Sequence, residues 1–154
     1  MSAAIGQPAP SFELPDQDRN PVTLESLKGN KSLVVFIPFP FTGNCEAELC
    51  TIRDQRSRLN DLDANVVAIS CDTLFANKEW SDKNGFGFPV LSDFWPHGET
   101  AKAYGAFNEA VGAANRWTFV LDAEGIIRDI VNTESLGVVR EFEAVVEALE
   151  AIDS

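Results

Sequence analysis

The feature that most constrains this chain is a buried strand that leads through a proline-rich loop to a cysteine and a helix. Residues 33–37 form an unbroken apolar run of the length expected for a buried strand. After the loop, apolar residues recur with helical spacing from Cys45 to about Leu62, and Cys45 itself lies on that apolar face. This order predicts that Cys45 occupies the first turn of a helix and points toward the core.

The first turn of a helix is a place where a thiol becomes reactive. Unpaired N–H groups and aligned peptide dipoles give this end a partial positive charge, which favours the thiolate over the thiol. Thr42 adds a hydroxyl just before Cys45, and Pro38 removes a backbone donor and stiffens the loop. The alternative for Cys45 is a small buried hydrophobe, which is a common role for cysteine. The combination of residues favours a reactive thiol.

Pro38, Thr42 and Cys45 together form a recognisable signature, Pro-x-x-x-Thr-x-x-Cys, and Arg116 lies at a fitting distance downstream. This pattern resembles the active site of the peroxiredoxins. The resemblance implies a thiol-dependent peroxidase that reduces hydrogen peroxide and organic hydroperoxides. In that reaction the thiolate of Cys45 attacks the peroxide and becomes a sulfenic acid.

Two further segments, 88–98 and 104–109, resemble the alkyl hydroperoxide reductase E subfamily, and the similarity extends over about residues 5–130. The resemblance implies a homodimer or a higher oligomer, and no metal or organic cofactor. It also implies a thiol reductant, which can be thioredoxin, a mycoredoxin or glutaredoxin, or a low-molecular-weight thiol. The sequence does not choose among these reductants or among the peroxides.

Four residues besides Cys45 are predicted to act in catalysis. The Thr42 hydroxyl can hold the peroxide, and the Arg116 guanidinium can stabilise the thiolate and the leaving oxygen. By resemblance, Pro38 shields the thiolate from water and Glu48 orients Arg116. The alternatives are a capping hydroxyl for Thr42, a surface arginine for Arg116, and for Glu48 an acid that favours the helix dipole.

Cys50 and Cys71 are the two remaining thiols. A cysteine at position 50 resembles the bacterioferritin-comigratory peroxiredoxins, in which it resolves the sulfenic acid by forming an internal disulfide. An ideal helix separates the Cα atoms of Cys45 and Cys50 by about 8.6 Å, beyond the ~7 Å reach of a disulfide. The bond therefore requires the helix to unwind. The alternative for Cys50 is a bystander on the outer face of the helix. Cys71 is a weaker candidate for the resolving role, and a structural residue at a strand end is the favoured alternative for it.

The rest of the chain predicts a thioredoxin-like α/β fold in one domain over residues 1–154, with a central mixed sheet flanked by helices and an N-terminal β-hairpin extension. The predicted strands lie at residues 12–14, 22–24, 33–37, 66–70, 90–91, 118–121 and 126–130. The predicted helices lie at residues 45–62, 73–83, 100–104 and 138–152.

The net charge, the apolar runs and the cysteine count limit the binding partners and the cellular compartment that we expect for this chain. The net charge of −12 argues against binding to nucleic acid or to an anionic membrane surface. No apolar run reaches the ~18 residues of a membrane span, and the first residues lack the features of a secretory signal. Three cysteines and one histidine predict neither a disulfide scaffold nor a zinc site. We therefore expect a cytoplasmic protein.

Two other functions remain open from the sequence. A thioredoxin-like thiol–disulfide oxidoreductase would need Cys-x-x-Cys, and Thr42 occupies the first position of that motif. A redox-regulated holdase or sensor would need an exposed apolar surface, to which Phe39 and Trp95 could contribute.

Overall fold

The apolar runs of the sequence become the strands of one mixed sheet. The computed structural model describes residues 3–133 and 140–152. Along the chain the elements are β1 (Glu13–Pro15), β2 (Pro21–Thr23), a 3-10 helix (Glu25–Leu27), β3 (Lys31–Phe36), α1 (Gly43–Asp54), α2 (Arg56–Asp61), β4 (Ala64–Ser70), α3 (Leu74–Asn84), β5 (Val90–Ser92), α4 (Glu99–Ala103), β6 (Phe107–Asn108), β7 (Ala113–Ala114), β8 (Thr118–Leu121), β9 (Ile127–Val131) and α5 (Phe142–Glu150).

The central sheet has five strands in the order β5-β4-β3-β8-β9. Strand β3 pairs in parallel with β4, and β4 with β5, whereas β8 runs antiparallel to both β3 and β9. Strands β1 and β2 form a separate antiparallel hairpin. The predicted mixed sheet and N-terminal hairpin are therefore confirmed. The parallel strands bring the loops after β3, β4 and β5 to one edge of the sheet, where functional loops commonly lie.

Residues at alternate positions of β3 pack into two cores, one on each face of the sheet. Val34 and Phe36 join one core, whereas Leu33 and Val35 join the other, because successive strand residues point to opposite faces. The second core lies beneath α1, α3 and α5, and it contains Cys45. Each fully buried Leu or Phe stabilises the fold by about 1.5–3 kcal/mol. The sheet therefore provides a rigid, apolar support for the cysteine.

The predicted helices are present, with different bounds at two places. The helix predicted from Cys45 to about Leu62 is divided at Gln55, whose backbone leaves the helical region, so that α1 and α2 are separate. Helix α3 has the expected ends, because the Thr73 hydroxyl accepts a bond from the Ala76 N–H and Gly85 adopts a left-handed conformation. The C-terminal helix begins at Phe142, and its predicted start at Val138 lies outside the described residues.

Two expectations about the whole chain have different outcomes. Within the described ranges, none of the helices combines the length and the apolar character needed to span a membrane. That residues 1–154 form a single domain stays a prediction.

Candidate active site

Cys45 lies in the first turn of α1, after the loop of residues 37–42 that follows β3. It is the third residue of the helix, and its side chain is fully buried, at 0% exposure. It packs in the core that also holds Ile37 and Leu49. The orientation predicted from the helical spacing is therefore found in the structure. The thiol is sheltered from bulk water and adjoins the positive end of the helix.

Thr42 is the residue immediately before α1, but its hydroxyl does not cap the helix. The hydroxyl donates to the carbonyl of Phe39 in the preceding loop, and no cap bond joins the Thr42 side chain to α1. Only its backbone carbonyl enters the helix, by accepting from the N–H of Glu46 at 2.9 Å. The capping alternative is therefore wrong. The exposed hydroxyl oxygen keeps lone-pair capacity for an additional donor.

The loop that carries Thr42 has an unusual backbone. Phe41 has a φ angle of 67°, in the left-handed region that bulky residues rarely adopt. Its ring lies 6.1 Å from that of Trp80, which is fully buried in α3. Pro38 at the start of the loop is buried, whereas Phe39 and Phe41 are exposed. Such backbone conformations persist where the surrounding structure holds them, and they cluster at functional sites.

Glu48 connects the helix that carries Cys45 to Arg116, which lies far away in the sequence. It lies one helical turn after Cys45 on α1, and its Oε1 accepts from Arg116 Nη1 at 2.8 Å. The side chains of Glu48 and Arg116 are only 5% and 4% exposed. Arg116 is therefore not the surface arginine considered from the sequence. It is part of a buried ion pair beside the helical turn that carries Cys45.

A second arginine, Arg140, holds the same carboxylate and was not predicted. Its Nη2 donates to Glu48 Oε1 at 2.7 Å, and its Nε and backbone N–H each donate to Oε2 at 2.8 Å. Its Nη1 donates to the carbonyl of Phe36 at 2.8 Å and to Thr118 Oγ1 at 3.1 Å. Arg140 thus joins α1 to the ends of β3 and β8. Nothing in the local sequence distinguishes it from a solvated arginine before a helix.

The two arginines keep the Glu48 carboxyl ionised despite its burial. Burial raises the pKa of the Glu48 carboxyl, but hydrogen bonds and charge from Arg140, with a hydrogen bond from Arg116, outweigh burial and lower that pKa below its ordinary value. Glu48 is therefore ionised at neutral pH. Two guanidinium groups therefore hold one buried carboxylate beside the helical turn that carries Cys45.

Cys50 lies on the flank of α1 that faces α3. It is half-buried, and its Sγ lies 4.0 Å from Oδ1 of Asn84 at the end of α3. Helix α3 lies beside α1 over the same face of the sheet, and it covers this flank of α1. That Cys50 resolves the sulfenic acid stays a prediction. Cys45 and Cys50 are both free thiols on one continuous helix, so an ideal helix still separates their Cα atoms by about 8.6 Å.

Cys71 has the surroundings expected of a structural residue, the role that the sequence favours. It follows β4 and is buried in the core on the opposite face of the sheet from Cys45. Burial, together with the nearby carboxylates of Asp93 and Asp72, raises the pKa of its thiol to about 12. A thiol that stays protonated at neutral pH is a poor nucleophile.

The possible metal-binding side chains of the described residues are His, Cys, Asp and Glu. Within these ranges, no group of three or more His, Cys, Asp or Glu side chains is arranged to hold a metal ion. Each buried side-chain nitrogen and oxygen in the same ranges has a hydrogen-bond partner.

Comparison with known proteins identifies the family. Residues 5–130 match the AhpC/TSA family. The chain belongs to this family. It is 44% identical to alkyl hydroperoxide reductase E of Mycobacterium tuberculosis over 149 residues, which cover 96% of this chain and 97% of that protein. This chain is therefore a peroxiredoxin, a thiol-dependent peroxidase, as the sequence signature predicted.

Solved structures of peroxiredoxins confirm the fold. The crystal structure of the peroxidoxin BcpB from Mycobacterium tuberculosis has a TM-score of 0.88 and 28% identity, and the match covers 99% of both chains. The crystal structure of AhpC from Enterococcus faecalis has a TM-score of 0.87 and 30% identity, with 98% of this chain and 92% of that chain covered. The thioredoxin-like α/β prediction is confirmed.

Proposed function

We propose that Cys45 is the peroxidatic residue of this peroxiredoxin. The observation that carries the proposal is the buried Glu48 carboxylate one helical turn after Cys45, which accepts hydrogen bonds from both Arg116 and Arg140. The Cys45 thiolate attacks one oxygen of a hydroperoxide, the O–O bond breaks, and the leaving oxygen takes a proton to become water or an alcohol. The sulfur is oxidised to a sulfenic acid and the peroxide is reduced.

Each neighbouring residue has a defined part in this step. The Thr42 hydroxyl exchanges its bond to the Phe39 carbonyl for one to the bound peroxide. The Arg116 guanidinium stabilises the negative charge as it moves from sulfur to the leaving oxygen, because it stays charged and has fixed donors. Pro38, which is buried, keeps water away from the sulfur. Glu48 positions Arg116.

Arg140 is a positioning residue in this scheme. It touches neither the sulfur nor the peroxide in the proposed step, and it acts through Glu48, whose two oxygens it holds in place. A carboxylate held in this way presents Arg116 at a fixed angle. Correct placement of charged donors before the reaction is what makes them effective in the transition state.

The substrates we propose are hydrogen peroxide and organic hydroperoxides, with apolar organic ones favoured. Phe39 and Phe41 are 39% and 48% exposed, and they lie in the loop that carries Thr42. They give the approach to the thiol an apolar surface that can contact an alkyl chain. The name of the Mycobacterium tuberculosis relative, an alkyl hydroperoxide reductase, agrees with this choice.

We also propose a thiol reductant, a homodimer or higher oligomer, and a cytoplasmic location. The reductant belongs to the class of thioredoxin, mycoredoxin or glutaredoxin, or low-molecular-weight thiols. Trp95, 82% exposed, and Phe94, 48% exposed, offer an apolar surface that a second copy of the chain can cover. The three free thiols are typical of proteins in a reducing compartment.

Stopped-flow oxidation with a panel of peroxides, followed by intact-mass measurement, tests the proposal. We expect the wild type to gain one oxygen atom or lose two hydrogens, and the Cys45→Ser variant to consume no peroxide. Reduction of insulin disulfides by the wild type, without peroxide consumption, would instead indicate a thiol–disulfide oxidoreductase. A Cys45→Ser variant that reacts at the wild-type rate would reject Cys45 as the reactive residue.

A further inference from the structure

Helix α1 carries a second stripe of residues that faces α3 rather than the sheet. Glu46, Cys50 and Arg53 follow one another at intervals of four and three positions, so they share one side of the helix. Glu46 Oε1 accepts from Trp80 Nε1 at 3.0 Å, and Cys50 Sγ lies 4.0 Å from Asn84 Oδ1. Arg53 Nη1 donates to the carbonyl of Asn84. Through this stripe, α1 contacts α3 from Glu46 to Arg53.

The bond between Glu46 and Trp80 is the contact nearest to Cys45 along α1. Trp80 is fully buried, and its indole N–H is the only polar group of that side chain. A charged acceptor makes a stronger hydrogen bond than a neutral one, and losing it would leave a buried donor unpaired. The backbone N–H of Glu46 also donates to the Thr42 carbonyl at 2.9 Å, which forms the first turn of α1. Holding Glu46 therefore keeps that turn wound.

Unwinding of this turn is the step that a Cys45–Cys50 disulfide needs. In that reaction the Cys50 thiolate attacks the sulfenic sulfur of Cys45. The S–S bond forms as the S–O bond breaks, and the departing hydroxide takes a proton to become water. Cys45 sulfur is reduced and Cys50 sulfur is oxidised by the same electron pair. On the intact helix the two Cα atoms remain about 8.6 Å apart, so the contacts of Glu46 oppose the reaction.

We propose that Glu46 and Trp80 are a positioning pair that sets the rate at which Cys50 reaches oxidised Cys45. The inference rests on the proposed function of Cys45 for its chemistry, and on the α1–α3 contacts for its geometry. While the pair is intact, α1 stays wound and the sulfenic acid is left for an external thiol. When the pair separates, the first turns of α1 unwind and the internal disulfide forms.

The test compares Glu46→Ala with Glu46→Gln and with Glu79→Ala, which removes an exposed carboxylate of the same charge from α3. One equivalent of peroxide is added, and sulfenic acid and disulfide are followed separately by rapid quench and non-reducing peptide mass spectrometry. We expect Glu46→Ala to form the disulfide about tenfold faster, because one partly buried hydrogen bond to a charged group is lost. Glu46→Gln keeps an oxygen for Trp80 and stays near the wild type, as does Glu79→Ala. The rate of sulfenic acid formation is unchanged in all of them.

Diamide, which oxidises two thiols to a disulfide without a peroxide, separates this inference from the proposed function. Faster diamide disulfide formation in Glu46→Ala supports the positioning role even if no variant reacts with peroxide. Arg53→Ala, which releases the other end of the stripe, gives a second variant with the same expected direction. Equal disulfide rates in Glu46→Ala, Arg53→Ala and the wild type with both oxidants, or no Cys45–Cys50 disulfide in any of them, would overturn the proposal.

Discussion

Arg140 holds both carboxylate oxygens of Glu48, through Nη2 to Oε1 at 2.7 Å and through Nε to Oε2 at 2.8 Å. The geometry is bidentate, which fixes the plane of the carboxylate as well as its position. Because Oε1 also accepts from Arg116, the orientation of Arg116 depends on Arg140. Two successive buried ion pairs, Arg140 with Glu48 and Glu48 with Arg116, therefore lie beside the helical turn that carries Cys45.

Replacing Arg140 with methionine should damage both stability and activity. Removing one partner of a buried ion pair costs about 3–5 kcal/mol, so the urea midpoint should fall markedly. With Glu48 free to rotate, we expect the rate of peroxide reduction to fall at least about tenfold in protein that remains folded. The control is Arg58→Met, since Arg58 pairs with Glu143 on the surface, where ion pairs contribute about 0–1 kcal/mol. A variant at position 140 with wild-type kinetics would contradict the positioning role.

Acid should destabilise the protein through Glu48. Its folded pKa lies below the ordinary value of 4.5, so the ionised carboxylate stabilises the fold above that pH. This contribution is lost as the pH falls from about 4.5 through the lower folded pKa. We expect the Glu48→Gln variant to be less stable at pH 7 and to lose less stability between pH 5 and pH 3. Urea unfolding at a series of pH values gives the free energy of unfolding of the wild type and of Glu48→Gln as a function of pH. If the two free energies fall in parallel between pH 5 and pH 3, Glu48 is not the titrating group.

Cys71 should behave as an inert thiol in the folded protein. With a pKa of about 12, it should resist iodoacetamide at pH 8 while the protein is folded and react once urea is added. The folded state also holds this proton more tightly than the unfolded chain, whose ordinary value is 9.0. Stability should therefore fall as the pH rises above about 9, and it should fall less in Cys71→Ala. Rapid labelling of Cys71 in the folded protein, located by peptide mass, would contradict the burial argument.

The sequence predicted the parts of this site that depend on local pattern. The strand before the loop and the position of Cys45 follow from one apolar run and the helical spacing after it. The partnership of Glu48 and Arg116, which are 68 positions apart, was expected only from the family resemblance. Arg140 was missed because a buried arginine and a solvated one look the same until the elements that pack around them are known.

Helix α1 shows the limit of an analysis based on one apolar face. The spacing correctly placed Cys45 toward the sheet, but it did not show that a second helix covers a flank of α1. Helix α3 packs on that flank, through Trp80 and Asn84, and makes Cys50 half-buried. The sequence around Gln55 contains no proline or glycine, so it did not predict that the helix is divided there. Both differences arise from tertiary packing, which overrides local preference.

Phe41 should influence which peroxides react fastest. Its φ of 67° suits glycine, so Phe41→Gly keeps the backbone while removing an exposed ring next to Thr42. Loss of this apolar contact should reduce the rate with cumene hydroperoxide relative to hydrogen peroxide by up to about tenfold. Phe75→Ala is the matched control, since Phe75 is exposed on α3 and its ring faces Arg19. Stopped-flow rates with both peroxides give the ratio directly. If the ratio in Phe41→Gly equals that in Phe75→Ala, the aromatic ring does not select the substrate, and the apolar surface contributes only to the structure of the loop.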